Sequence, residues 1–352
     1  MRKVIIRKAG GWDRLEMTTV PDPEPGDADV VVKTQAIGVN FADCIVRMGL
    51  YESAKKYVGW PITPGFELAG EIVRVGANVR DARVGARVMG ITRFNGYATH
   101  VCVPRHQIFE LPEGFSMEQA AGFPAVFMTA WYALVELANV RKGMRLLVHS
   151  AAGGVGGALC QIGKAKGMTV VGVVGNASKI DAAKAQGADV VIDKSSEDLW
   201  RIARRHAPDG YDVVCDANGV ATLKQSWEHV RSPGRLVVYG FHTMLGAWSG
   251  SDKTKSKTGK PSWAKLGVDF VRTPRFSAFE MCDKNKSVLA FNLSYLFDER
   301  AILEDGMEQL LGWVREKKLV APLVTTFPLD RAADAHRAIE SGTTKGKLVL
   351  VP

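Results

Sequence analysis

Ala151, Gly153 and Gly156 stand at the i, i+2, i+5 spacing of a turn that cradles a dinucleotide pyrophosphate, with Ala in place of the first Gly. At Gly153 the backbone can approach a phosphate, and at Gly156 a helix can pack closely on a strand. Gly154 and Val155 lie in the same turn, and the N-terminus of the helix that follows, with its free amides and partial positive charge, suits an anion. About 24 residues past Ala151 comes Gly175, then Asn176, Ser178 and Lys179, and no carboxylate lies between Thr169 and Ile180. An acid at this place would hold a ribose 2′-hydroxyl. A lysine and a hydroxyl without one suit a 2′-phosphate, so the expected cofactor is NADPH in preference to NADH. Lys194 either adds a second cation to that phosphate or is simply solvated.

These residues need a parallel sheet to carry them. From Arg145 onward short apolar runs alternate with helical patterns: strands over 146–150, 169–174, 189–192, 211–215 and 235–240, and helices over 156–166, 178–186, 196–206 and 221–231. Val288 to Leu293 is expected as a sixth strand, and Glu299 to Lys318 as an amphipathic helix. This rhythm specifies a doubly wound Rossmann sheet. Before it, from Val4 to about Ala125, short β-like runs (Val30 to Val39, Leu68 to Val75, Ala86 to Ile91, Tyr97 to Val103) are broken by Gly and Pro turns, the pattern of a compact β-rich domain. Pro124 to Ala138 is expected as helix.

Composition narrows the function classes. The 352 residues suffice for two domains, and no apolar run approaches a membrane span or a signal-peptide core, so a cytoplasmic protein is expected. The five cysteines are scattered with no CxxC, which fits reduced, mostly buried thiols, and no Cys/His spacing suits a metal. Between Gly246 and Lys265 five lysines face Asp252 alone, about half of the net charge of +9. That segment is expected to be either a solvated loop or a basic contact to an anionic cofactor or acidic surface. Nothing has the pattern of a nucleic-acid-binding module.

The motifs VNFADCIVRMGLY (39–51), PITPGFELAGEIVRVG (61–76), AAGFPAVFMTAWYAL (120–134), HSAAGGVGGALCQIGKAKG (149–167) and TTKGKLVLV (343–351) follow in order along the chain. In these the chain resembles the medium-chain dehydrogenase/reductase superfamily, in its zinc-free quinone oxidoreductase branch. FNLSYLF (291–297) is most like the vesicle amine transport protein group of that branch. The resemblance implies an α/β chain with a GroES-like β-rich catalytic domain (1–126 and 299–352) and a Rossmann domain (127–298), dimerising through the sixth Rossmann strand. It places the substrate near Asn40, Asp43, Tyr51 and Thr129. The cofactor would also meet Asn218, Gly240, Phe241 and Lys347.

Each assignment has a plainer alternative. Asn40 and Asp43 either position substrate or cap the following helix. Tyr51 either donates its phenol to a substrate oxygen or is a satisfied, partly buried aromatic. Thr129 either lies near the nicotinamide or bonds its own helix backbone, and Lys347 is either a cofactor contact or an exposed lysine. Set against the zinc-dependent branch of the superfamily, the place of the first zinc-ligand cysteine falls in Asn40 to Asp43, and that of the ligand histidine is Phe66 in Gly65-Phe66-Glu67. Without a Lewis acid, hydride transfer must suit substrates already electrophilic, such as quinones and activated enones or enals. Rival expectations are an enoyl or alkenal reductase on the same fold, and a cofactor-binding interaction protein with little turnover.

Overall fold

The computed structural model describes residues 1–245 and 258–352. Most of the lysine-rich segment, including Lys253, Lys255 and Lys257, lies outside the described residues, and the expectations for it with them.

Two sheets organise the chain. Six parallel strands lie side by side in the order Val190–Asp193, Thr169–Val174, Arg145–Val148, Tyr211–Asp216, Val230–Val238, Lys286–Ala290. The order reverses beside the strand that feeds the Gly-rich turn, and a crevice for a ligand opens at such a switch point. The central strands are buried on both faces, which explains their continuous Val/Leu composition. The sixth strand begins two residues earlier than the apolar run suggests, because it pairs with Gly234–Val238, and Leu293–Asp298 turns into 3-10 helix.

The other sheet has seven strands and is built mainly from the N-terminal part: Asp29–Val39 at its centre pairs with Glu67–Val75 and His100–Pro104, and Arg87–Ile91 and Ile108–Glu110 extend it. The chain's last strand, Lys347–Val351, pairs antiparallel with Ile37–Val39 and parallel with Val324–Pro328. The C-terminus therefore completes the β-rich sheet. Pro124–Trp131 is helical with Pro in its first turn, where the missing N–H costs nothing, and Tyr132–Leu137 continues it as a wider π turn. Among the described residues no helix is long and apolar enough to cross a membrane.

Candidate active site

The Gly-rich turn explains its own sequence. A Cβ on Gly156 would lie 2.1 Å from the Ser150 carbonyl oxygen, so only glycine lets the helix Gly154–Ala165 start this close to the strand before it. Ala151, in the place of the first glycine, is accommodated from the neighbouring strand: a Cβ on Gly172 would lie 2.7 Å from the Ala151 methyl. Gly172, which sequence reasoning passed over, thus makes room for the substitution. The turn is tied to the other sheet, since Gly346 N–H donates to the Ala152 carbonyl at 2.8 Å and Gly153 and Gly346 form a parallel bridge.

At the end of the second Rossmann strand, Gly175 is open: nothing lies within 4 Å of a Cβ built there. Ser178 Oγ donates to Asn176 Oδ1 at 2.6 Å, which fixes this short turn. Lys179 is buried and donates to the Gly342 carbonyl at 2.5 Å. Burial and the nearby Lys194 and Lys345 ammoniums push its pKa down. Burial also lowers that of Lys194, against the pull of Asp216. The structure therefore brings together three cations, of which the sequence pattern supplied only two. Lys345 comes from the loop before the last strand, more than 150 residues away.

Asp216 is fully buried and organises the next part of the crevice. Its carboxylate accepts from Asn218 N–H (2.8 Å), Gly219 N–H (3.2 Å), Thr222 Oγ (2.7 Å) and Ser226 Oγ (2.7 Å). This holds Asn218 against Ser150, whose Oγ donates to Asn218 Oδ1 at 3.4 Å. Gly240 and the half-exposed Phe241 complete the wall, with Phe241 packed so that a Cβ on Gly219 would meet it at 3.0 Å. Phe41 and His242, one from each side of the cleft, pack with ring centroids 4.2 Å apart and ring planes tilted by 50°.

The floor differs most from expectation. Asp43 is fully buried: its carboxylate accepts from Asn40 N–H (2.7 Å), Gly65 N–H (2.8 Å) and Tyr97 Oη (3.2 Å). It closes a capping box on the helix Phe41–Arg47, so its geometry is that of a brace and not of a group facing substrate. Burial pushes its carboxyl up to about 7. Thr129 Oγ donates to the Ala125 carbonyl one turn back at 2.7 Å. Tyr51 Oη donates to Asn292 Oδ1 at 2.8 Å, across the cleft, and burial raises its phenol to about 12. Asn292 also accepts from Ser294 N–H and Oγ, and Ser294 Oγ lies 2.7 Å from Ser53 Oγ. The FNLSYLF segment is thus a docking seam between the two halves.

Lys347 is buried, not exposed. Its Nζ lies 2.5 Å from both Asn40 Oδ1 and Glu67 Oε1, while Asn40 Nδ2 donates to Glu67 Oε1 at 2.9 Å and Ala125 N–H to Glu67 Oε2 at 2.8 Å. Glu67 was missed in the sequence, although it follows Phe66 directly. Elsewhere Cys44, His336 and Glu340 converge in the core, the one such group of potential metal ligands among the described residues. Arg47, fully buried, pairs with Glu340 at 2.8 Å, and His336 Nε2 lies 3.2 Å from Tyr97 Oη, so a guanidinium already balances the carboxylate.

Residues 26–113 match the model of the alcohol dehydrogenase GroES-like domain, and residues 186–350 that of a zinc-binding dehydrogenase. The synaptic vesicle membrane protein VAT-1 homolog of Rattus norvegicus is 30% identical over 355 residues, which cover 100% of this chain and 84% of that protein. The chain belongs to the medium-chain dehydrogenase/reductase superfamily, in its quinone oxidoreductase branch. A probable quinone oxidoreductase of Schizosaccharomyces pombe is 29% identical, covering 99% of this chain and 96% of that protein. Among solved structures, Escherichia coli quinone oxidoreductase complexed with NADPH superposes with a TM-score of 0.81 at 26% identity, each chain covered in full. The human synaptic vesicle membrane protein VAT-1 homolog-like protein gives 0.82 at 28% identity, covering 100% of this chain and 98% of that one.

Proposed function

We propose that the protein is an NADPH-dependent, zinc-independent reductase of quinones or other activated carbonyl and alkene compounds. The observation that carries this reading is the convergence of Lys179, Lys194 and Lys345 beside the open backbone of Gly175, at one end of a crevice whose middle is the Gly-rich turn. A cofactor bearing a 2′-phosphate fits this arrangement: the cations would hold its extra charge, and the amides at the start of Gly154–Ala165 would hold its pyrophosphate. When bound, NADPH supplies a hydride and two electrons. Asn218, held by Asp216, and Gly240 and Phe241 would line its middle. The NADPH complex of the Escherichia coli relative supports the same choice.

A zinc ion does not fit the floor. Asn40 and Phe66 offer no thiolate or imidazole, and the two carboxylates there are already engaged: Glu67 by an ammonium, an amide and a backbone N–H, and Asp43 by two backbone N–H groups and the Tyr97 hydroxyl. Electrophilic substrates follow from that chemistry.

A homodimer is the further expectation. Among the described residues Lys286–Ala290 has a sheet neighbour on one side only, and close to it in sequence Phe270, Val271 and Phe279 are 77%, 80% and 90% exposed. A second copy along that edge would cover both features. Light scattering at micromolar concentration tests this, and a monomer would refute it.

The functional test is a panel of quinones, enones and enals, each followed by the loss of reduced nicotinamide absorbance. Turnover of quinones with NADPH supports the proposal. Tight NADPH binding without turnover of any of them would favour an interaction role instead.

A further inference from the structure

We propose that Asn40 and Lys347, gathered side by side on Glu67, form a two-donor cradle for the negative charge that develops on a substrate oxygen, with Lys347 as its cationic member. The proposal rests on the reductase reading and supplies the group that takes the place of a Lewis acid.

Glu67 is the pivot. It is fully buried and packed against Gly38, where an added Cβ would come within 2.4 Å of its Oε1, and Ala125 N–H holds its other oxygen at 2.8 Å. Its Oε1 takes one N–H from Asn40 at 2.9 Å and one from Lys347 at 2.5 Å. Lys347 spends a second N–H on Asn40 Oδ1. An ammonium carries three N–H groups and an amide two. One on each therefore has no acceptor among the described residues, and both project from nitrogens bonded to the same carboxylate oxygen.

The stem of Lys347 places this pair beside the cofactor turn. It runs between Gly122 and Gly154, where added Cβ atoms would meet it at 2.9 and 3.5 Å. Gly154 is the first residue of the dinucleotide helix, and Asn40, half-buried, opens the helix on the cleft floor. An oxygen atom accepting from both nitrogens would satisfy the two remaining donors.

In the reaction, the substrate's electrophilic carbon gains a C–H bond and two electrons as hydride from bound NADPH, leaving NADP⁺. The π bond breaks and its electron pair moves to the carbonyl oxygen, directly or through the conjugated alkene. That oxyanion is the atom the cradle holds. It then takes one proton from water, and Lys347 stays protonated throughout. Donors fixed before the charge appears stabilise it without reorganisation.

The test uses Lys347→Met and the double variant Glu67→Gln/Lys347→Met, which leaves no buried carboxylate without a partner. The probe is 4-nitrophenol added to protein holding NADP⁺, because its absorbance separates phenol from phenolate without any turnover. Wild type should bind it with its ionisation favoured by roughly tenfold or more, and both variants should lose most of that effect. Dissociation constants for NADPH should stay within about threefold, while kcat for a quinone falls roughly 10²- to 10³-fold, the loss typical of removing one such donor. Lys347→Arg, which keeps the charge, should recover part of it.

Equal ionisation of the bound phenol in wild type and the double variant would overturn the proposal, as would failure of the phenol to bind wild type. So would a loss of NADPH affinity large enough to explain the whole loss of rate, which would make Lys347 a cofactor contact. If wild type reduces no electrophile, the reductase reading fails, and the phenol titration still decides whether the cradle exists.

Discussion

Lys179 donates from Nζ to the carbonyl oxygen of Gly342 at 2.5 Å, although 163 residues separate the two. The bond ties the end of the second Rossmann strand to the loop that carries Lys345 and leads into the last strand at Lys347. Lys179 is thus both a tether and one of the three cations, whereas Lys345 brings charge with no such tether to Gly342. Lys345→Ala should weaken NADPH binding about tenfold and leave NADH nearly unchanged, the scale of one charge-assisted hydrogen bond. Lys179→Ala should weaken NADPH more, ten- to a hundredfold by the same scale, and also lower the melting temperature. Fluorescence titration with both cofactors checks this. Equal losses for NADPH and NADH in the Lys345 variant would place the 2′-phosphate elsewhere.

Gly175→Asp adds a ribose acceptor and a repulsive charge in open space, so it should move preference toward NADH without a cost in stability. Gly156→Ala is the opposite case. Its methyl meets a backbone oxygen that cannot give way, so both cofactors should lose affinity together and stability should fall by about 1–3 kcal/mol or more. Urea unfolding of the two variants, paired with cofactor titration, distinguishes these outcomes.

Much of the fold was legible in the sequence because buried parallel strands and Gly-rich turns are local patterns. The succession of strands and helices along the chain and the turn at Ala151 to Gly156 needed only short windows. The ends of elements were less legible: where the sixth strand starts depends on Gly234 to Val238, some fifty residues earlier. The site divides in the same way. Lys179 and Lys194 follow from the missing acid after the second strand, but Lys345, Glu67 and Asn292 act through contacts between segments distant in sequence. Asp43 shows the converse. The resemblance suggested a substrate contact and its residue type a helix cap, and the burial and hydrogen bonds of its carboxylate are those of the cap.

Tyr51 illustrates how a partner changes a role. Its hydroxyl proton lies toward Asn292 Oδ1, so it is not poised to protonate a substrate. Tyr51→Phe should reduce kcat/KM by less than about tenfold while costing about 1 kcal/mol of stability, the net value of one hydrogen bond. Steady-state kinetics with a quinone and a thermal melt decide this. A loss of a hundredfold or more in kcat with KM unchanged would return Tyr51 to proton donation.

Asp43 makes stability depend on pH. Its carboxyl is raised from 3.8 to about 7 by burial, so between these values the folded chain holds a proton that the unfolded chain releases. The stability it contributes is complete below about pH 4 and is lost as pH rises through 7. Asp43→Asn should therefore flatten the fall in unfolding free energy between pH 5 and 8 by a few kcal/mol at most, beyond a constant cost of about 1 kcal/mol for the weakened cap. Urea titrations of both proteins at the two pH values test it, and parallel curves would mean Asp43 does not titrate in that window.

The most direct measurement of the central claim is the rate of reduced nicotinamide oxidation by chelator-treated, metal-analysed protein, with and without a quinone, using NADPH and NADH in parallel. The account predicts quinone-dependent oxidation that is faster with NADPH, persists without stoichiometric zinc and does not rise when zinc is added back. Oxidation that appears only with zinc, or that proceeds better with NADH, would contradict it.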